Sequence, residues 1–403
     1  MRRLEGKAFE LIDRMAAGRS GPVAIAVSGG SDSRALLVLT DQWAQISGRD
    51  LLVLTVDHGL RPEAAREAAC VVEQASALGH PAQCLTWTGE RATQRHARRA
   101  RHTLLAYAAR AAGAGLLLLG HTQDDFEETL LMRLAHGSPL AGAAGLQLVS
   151  VSPVWPEGRG VLLGRPLLPQ RRQTLQALLK AKGQAWVSDP SNQANIYERV
   201  RVRRTIAQLE NRDALASIAT SAALLRAAED RAIASALAQD VEVDRFGQVT
   251  LACAPAERTP TPRLLGILLQ LAAGTDKACD RMQLEALCAS IEEGGPQSRL
   301  TLGGAWLQRR GDTLLIGRDP GEASLSADGS VFDGRFERKR GLAAPAEGMP
   351  VPFLVRDSQP PAGYREILSE RLSLWAEAMR LSAGLTGEFS GSYQTPRLNP
   401  VQT

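Results

Sequence analysis

Three short apolar runs mark the first third of the chain: Val23-Ala24-Ile25-Ala26-Val27, Leu51-Leu52-Val53-Leu54-Thr55-Val56 and Leu116-Leu117-Leu118-Leu119. Each has strand length and is apolar at successive positions, the pattern of a strand covered on both faces. The segments between them, near 34–46, 63–79 and 98–112, carry Ala, Leu, Arg and Glu at helical spacing. Before the first run, Leu4, Ala8, Leu11, Ile12 and Met15 share one helical face, with Glu5, Lys7, Glu10 and Asp13 interspersed. That is an amphipathic helix and not a signal peptide. Strands alternating with helices predict an α/β fold, a doubly wound parallel sheet with helices on both sides. In such a sheet the ligand lies beyond the carboxyl ends of the strands, where the strand order reverses.

The texture changes near Asn211, where an Ala-rich helical stretch places Leu215, Ile218, Ala222 and Leu225 on one face. Helical patterns recur at 262–273 and 280–292, and Arg299–Arg318 has the form of a hairpin turning at Arg310-Gly311-Asp312. The chain therefore divides into a first domain at 1–208, a mainly helical domain at 209–300 and a small C-terminal region at 301–403. The last stretch, Gly387 to Thr403, is rich in Gly, Ser, Pro and Thr and reads as a disordered tail.

Composition changes this picture only at the margins. Hydrophobic residues make up 44% and charged residues 22% of the 403, enough for a full core. The longest apolar stretch, Ala111 to Leu119, is too short to cross a bilayer. The five cysteines, Cys70, Cys84, Cys253, Cys279 and Cys288, form no CxxC pair. A soluble cytoplasmic protein with no membrane association and no zinc or iron–sulfur site is expected. The net charge of +4 does not by itself identify a nucleic-acid binder. Its distribution says more, because Arg91, Arg95, Arg98, Arg99, Arg101 and Arg110 crowd one segment and Arg199, Arg201, Arg203 and Arg204 another. Such clusters are either solvated helix faces or contacts to RNA phosphates. With aromatic residues at 4%, stacking on many exposed rings is not expected.

Candidate chemistry follows the strands. Ser28-Gly29-Gly30-Ser31-Asp32-Ser33 lies between the first strand and a helix beginning near Arg34. Its glycines let the backbone turn and approach a ligand, and the helix start favours an anion. The three serines add hydroxyl donors, and Asp32 can reach a magnesium ion held by phosphates. The GxxxxGK[ST] spacing of a P-loop kinase or GTPase is absent. After the third run, His121 precedes Asp124, Asp125 and Glu128, with Asp125 and Glu128 on one helical face. Two such carboxylates hold a cation, metal or ammonium, unless they merely answer the helix dipole.

The loop resembles the SGGxDS signature of the PP-loop ATP pyrophosphatases, which cleave ATP between the α and β phosphates and adenylate a substrate oxygen. Val56-Asp57-His58-Gly59-Leu60-Arg61, Ala97-Arg98-Arg99-Ala100-Arg101-His102 and the stretch from Gly120 through Thr129 resemble the DHxLR, ARxxRY and GHHxDDxxET signatures of the tRNA(Ile)-lysidine synthetases. Arg165-Pro166-Leu167-Leu168, Asp189-Pro190-Ser191-Asn192 and Tyr197-Glu198-Arg199-Val200-Arg201 are similar to three further motifs of that family. The match spans residues 20–206 in the family's order. The chain departs from the pattern at Thr122 (a second His), Phe126 (Gln), His102 (Tyr), Val200 (Asn) and the Gly-rich stretch at 135–139.

The resemblance implies a fold of PP-loop ATP pyrophosphatase type, with ATP and Mg2+ as cofactors. The implied substrates are tRNA(Ile) with a CAU anticodon and free L-lysine, with the helical domain contacting tRNA and a homodimer left open. It implies Asp32, Arg101, His121, Asp125 and Glu128 as catalytic residues, with Asp125 and Glu128 receiving the lysine ammonium. Ser28, Gly29, Gly30, Ser31, Asp32, Ser33 and His58 would hold the nucleotide, and Asp32 the metal. The alternatives are tRNA thiolation, which commonly uses a cysteine pair not visible here, small-molecule amidation, and an RNA-binding module with a relic loop.

Overall fold

The computed structural model describes residues 2–57, 59, 62–87, 94–187, 198–253, 260–293, 298–319, 330–339 and 364–389. His58, Arg91, the stretch 189–192, Tyr197 and the expected disordered tail beyond 389 lie outside them, as does the side chain of Arg95. Contacts divide the chain into two units: 1–152, 161–231 and 378–403 in the first, 153–160 and 232–377 in the second.

The first unit opens with α1 (Arg2–Ala16), β1 (Val23–Ala26), α2 (Ser31–Ser47), β2 (Leu51–Asp57), α3 (Pro62–Ala77), β3 (Ala82–Thr86) and α4 (Gln94–Ala111). It continues with β4 (Leu116–Leu119), α5 (Gln123–Ala135), a short α6 (Leu140–Ala143), β5 (Val149–Val151), β6 (Leu162–Gly164), α7 (Arg172–Ala181) and α8 (Glu198–Gln208). The strands form one sheet in the order β3-β2-β1-β4-β6-β5. All neighbours pair in parallel except β5 with β6. The expected doubly wound sheet is therefore present, with an antiparallel edge strand.

Alternation along the strands sends side chains to opposite faces. Ala24, Leu52, Leu54, Leu117 and Leu119 join Leu105, Ala108 and Ala109 of α4 in one buried cluster. On the other face α1 lies tight against β6, since a Cβ built on Gly164 would sit 2.9 Å from Met15 Sδ and 2.6 Å from Leu118 Cδ2. The chain leaves β1 for β2 and β3, then returns to place β4 on the other side of β1. This reversal opens the crevice in which a ligand is expected.

The division falls within α9 (Arg212–Gln239). Beyond it come β7 (Val241–Val243), β8 (Val249–Ala252), α10 (Pro262–Ala273), α11 (Arg281–Glu292), β9 (Leu300–Leu302), β10 (Ala305–Arg310) and β11 (Thr313–Arg318). Helices hold most of 209–300, as expected. The expected boundary at residue 300 is crossed, however, because β8 pairs with β11 in a five-stranded sheet ordered β7-β8-β11-β10-β9. Strands of three and four residues within a helix-rich stretch leave too short a pattern to read. The hairpin β10–β11 turns at Gly311-Asp312, as its sequence predicts. β12 (Val331–Phe332), β13 (Phe336–Arg338), β14 (Tyr364–Glu366) and α12 (Leu368–Phe389) complete the described chain.

Candidate active site

The loop after β1 is shorter than its sequence suggests. Ser31, Asp32 and Ser33 form the first turn of α2, with Gly30 as N-cap, so the helix starts three residues before Arg34. The reason is local. The Ser33 hydroxyl donates to the Gly30 carbonyl (3.0 Å) and accepts from the Ser28 amide (3.1 Å), folding the loop onto the helix start. Gly29 has φ +84°, a left-handed conformation that favours glycine. The first-turn amides have no partner within the helix, so the turn can receive an anion.

Asp32 stands on this turn with its side chain 18% exposed. Burial raises its pKa, outweighing the nearby Arg172 guanidinium. The turn meets the end of β4 closely. A Cβ built on Gly120 would lie 3.1 Å from the Asp32 carbonyl group and from Ser33 Cα. The two loops therefore approach to within a side chain's width across the switch point.

α5 presents the acidic pair. Asp125 Oδ2 accepts from the Thr122 amide (2.8 Å) and hydroxyl (2.9 Å), capping the helix. Asp125 Oδ1 accepts from Arg199 Nη2 (2.8 Å) and Arg172 Nη2 (3.2 Å). Glu128 accepts from Arg199 Nε at 2.6 Å and Arg203 Nε at 2.8 Å. Burial opposes ionisation of Asp125, but Arg172 and Arg199 prevail and hold its carboxyl below the usual range. The Arg199 guanidinium bridges the two carboxylates, with Arg172 also near both and Arg203 on Glu128.

His121 lies beside this pair with Nδ1 buried and without a partner. Burial, then Arg165, lowers its pKa to about 3, with Asp125 acting the other way. Arg98 and Arg165 stand near it and Arg101 stands near Arg98, and the pKa values of all three are lowered by desolvation and by neighbouring cations. Arg165, pushed down to about 10, donates to the Gln147 carbonyl (2.8 Å) and Ser150 hydroxyl (3.0 Å). Among the described residues no carboxylate pairs with any of these three arginines. Clustered, desolvated guanidiniums with no carboxylate partner among the described residues can receive an anion.

Phosphate loop, acidic pair and cation cluster meet at one crevice, and comparison with known proteins fits that chemistry. The model of the PP-loop domain matches residues 5–210. A tRNA(Ile)-lysidine synthase from Hyphomonas neptunium is 40% identical over 322 residues, covering 78% of this chain and 87% of that protein. One from Caulobacter vibrioides is 35% identical, covering 90% of this chain and 83% of that protein. This chain belongs to the tRNA(Ile)-lysidine synthase family. A solved structure, the U34-tRNA thiolase NcsA from Methanococcus maripaludis with its [4Fe-4S] cluster, is 18% identical with a TM-score of 0.47, covering 55% of this chain and 76% of that one.

Where the chain departs from the synthase pattern, the substitutes have defined places. Thr122 positions Asp125, Phe126 is buried, and His102 is held neutral by burial, its pKa lowered to about 3. The α8 arginines split by face. Arg199 and Arg203 turn to the acidic pair, while Arg201 and Arg204 are exposed, so the cluster read as either a solvated face or RNA contacts is divided. Sequence reasoning missed Arg172, which touches both Asp32 and Asp125. A signal existed: two consecutive arginines open α7, where the helix dipole disfavours cations unless carboxylates wait for them. Arg171 meets Glu127 at 2.6 Å.

Proposed function

We propose that the chain ligates lysine to C2 of the wobble cytidine of CAU-anticodon tRNA(Ile), at the expense of ATP cleaved to AMP and pyrophosphate. The observation that carries this reading is the meeting of the phosphate loop and the acidic pair across the β1–β4 switch point. In the first step the cytidine O2 attacks the α-phosphorus, and pyrophosphate leaves. In the second the lysine ε-nitrogen attacks C2, and the C2–O bond breaks to release AMP.

The first turn of α2, with Ser28, Ser31 and Ser33, receives the phosphates through amides and hydroxyls. Asp32 fits a magnesium ion, because Mg2+ uses one or two carboxylates and completes its shell with phosphate oxygens and water. When bound, that ion neutralises phosphate charge. Arg98, Arg101 and Arg165 receive anionic oxygen and stabilise the departing AMP. Asp125 and Glu128 receive the lysine ammonium in place of the Arg199 guanidinium.

The amine must lose a proton before it attacks. His121 can accept it at Nδ1, which has no hydrogen-bond partner among the described residues. At a pKa of about 3, set by burial and then by Arg165, it is a weak base. Substrate phosphate among the neighbouring arginines removes their part of the lowering and makes His121 more basic, while burial, the larger cause, remains. The test is incubation with ATP, radiolabelled lysine and bulk tRNA. Label entering the RNA only with ATP supports the reading, and ATP-dependent AMP release without lysine incorporation overturns it.

A further inference from the structure

Arg172 is the one guanidinium among the described residues that touches both the phosphate-loop carboxylate and the acidic pair. Its Nε donates to Asp32 Oδ2 (2.7 Å), its Nη2 to Asp125 Oδ1 (3.2 Å), and its Nη1 lies 3.8 Å from Glu128 Oε1. Its own backbone amide donates to Asp124 Oδ2 at 2.8 Å. One residue thus spans from the first turn of α2 to the first turn of α5.

The segment that carries it is fixed at both ends of this span. The Gln123 amide donates to the Gln170 carbonyl (2.9 Å), tying the start of α5 to the turn before α7. Arg171 reaches Glu127, and Gln184, just past α7, accepts from Arg34 of α2 at 2.5 Å. Leu175, Leu178 and Leu179 are buried beneath and seat α7 against the unit's core, which fixes the Cα from which the guanidinium reaches its partners. A planar fork held by its own helix sets a distance between its partners, which an ammonium on a flexible stem does not.

We propose that Arg172 is a positioning residue that fixes the spacing between Asp32 and Asp125, and through it the distance from the adenylated oxygen to the attacking amine. This rests on the lysidine reading of the site. Arg172 contacts neither substrate in this assignment. It acts through the two carboxylates, and misplacement of reacting groups by an ångström costs about a hundred-fold in rate.

The test uses full-length Arg172→Lys and Arg172→Gln proteins, assayed separately for tRNA-adenylate formation without lysine and for lysine transfer. Arg172→Lys keeps the charge and loses the fork. It is expected to keep the wild-type melting midpoint and ATP affinity while kcat for lysine transfer falls ten-fold or more and the lysine KM rises. Arg172→Gln is expected to lose more of both half-reactions. Wild-type transfer by Arg172→Lys overturns the proposal, because charge alone then suffices. An equal fall in melting midpoint, ATP affinity and both rates also overturns it, because that is a folding role. If the wild-type protein forms adenylate but takes up no lysine, the lysidine reading fails, while the effect of Arg172→Lys on adenylate formation still reports on the spacing.

Discussion

Beside the arginines that its carboxylates pair, the first unit carries a group with which the second unit's buried arginines contrast. In the second, four guanidiniums at or near the core are met by carboxylates, carbonyls or rings. Arg318 and Arg335 bind Asp333 at 3.2 and 2.9 Å, and Arg159 binds Glu337 at 3.0 Å. Arg371 lies 4.2 Å from the Trp155 ring and 4.5 Å from the Trp375 ring, and donates to the Gln270 and Thr275 carbonyls. In the first unit, Arg98, Arg101 and Arg165 repel one another with no carboxylate among the described residues. Satisfied charge holds a fold together. Unsatisfied charge is tolerated where a ligand supplies the missing partner, so the difference separates scaffold from site.

The sharpest way to break this comparison is to remove groups from each side of it. Asp32→Ala should reduce AMP and pyrophosphate formation about a thousand-fold or more, with circular dichroism unchanged, because Arg172 keeps Asp125 as partner. Substantial residual adenylation would refute the metal role of Asp32.

Arg101→Ala should slow adenylate formation about a hundred-fold while the melting midpoint stays level or rises, since a repelled cation is gone. Arg371→Ala should do the reverse. Losing a buried charged donor and its stacking costs about 3 kcal/mol, or roughly 5–10 °C in melting midpoint, with turnover per folded molecule retained. If the two variants exchange these signatures, the division between scaffold and site fails.

Glu128→Gln tests the mixed case, a first-unit carboxylate that is paired. It should raise the lysine KM about ten-fold, from loss of a charge-assisted contact of about 1.5–3 kcal/mol, and move the ATP constant little. If adenylation fails instead and lysine dependence survives, the pair is a metal site.

Acid provides a fourth lever. His102 and His121 have pKa values lowered to about 3 from an ordinary 6.5. Above pH 6.5 both are neutral, folded or unfolded, and their burial costs nothing in protons. As pH falls from 6.5 toward 3 the unfolded chain binds protons that the folded chain refuses, and stability declines. Melting midpoints followed over that range should drop, and His102→Gln should flatten the drop. An unchanged slope in the variant would return His102 to a neutral bystander. The smallest effect belongs to the exposed Arg204. Arg204→Ala should lower the salt slope of tRNA binding by about one phosphate contact and leave ATP binding unchanged.

Much of this was legible in the sequence because the site lies directly after its strands. The runs at 23–27, 51–56 and 116–119 became β1, β2 and β4, and the loops after the first and last meet at the crevice. What escaped has physical reasons. β3 is an edge strand with exposed Gln83 and Cys84, so it carries no buried run. β5 and β6 are three residues each. The serines of the phosphate loop read as loop because their helix start depends on one Ser33 hydroxyl and not on periodicity. The pairing of Arg199 and Arg203 with Glu128 spans more than seventy residues of sequence, and charge patterning along α8 alone shows only a basic helix.

Gly120 has a consequence for how the site can vary. With an ordinary Cβ only 3.1 Å from the Asp32 carbonyl group and Ser33 Cα, no alanine fits without moving α2. Displacing α2 would shift Asp32 relative to Arg172, because Asp32 rides on the first turn of α2 and Arg172 on the first turn of α7. An added methyl at this position therefore asks the first turn of α2, which carries the nucleotide loop, to give by a few tenths of an ångström. The missing atom works as a gauge block, and the clearance between two halves of an active site is set by a side chain that is not there.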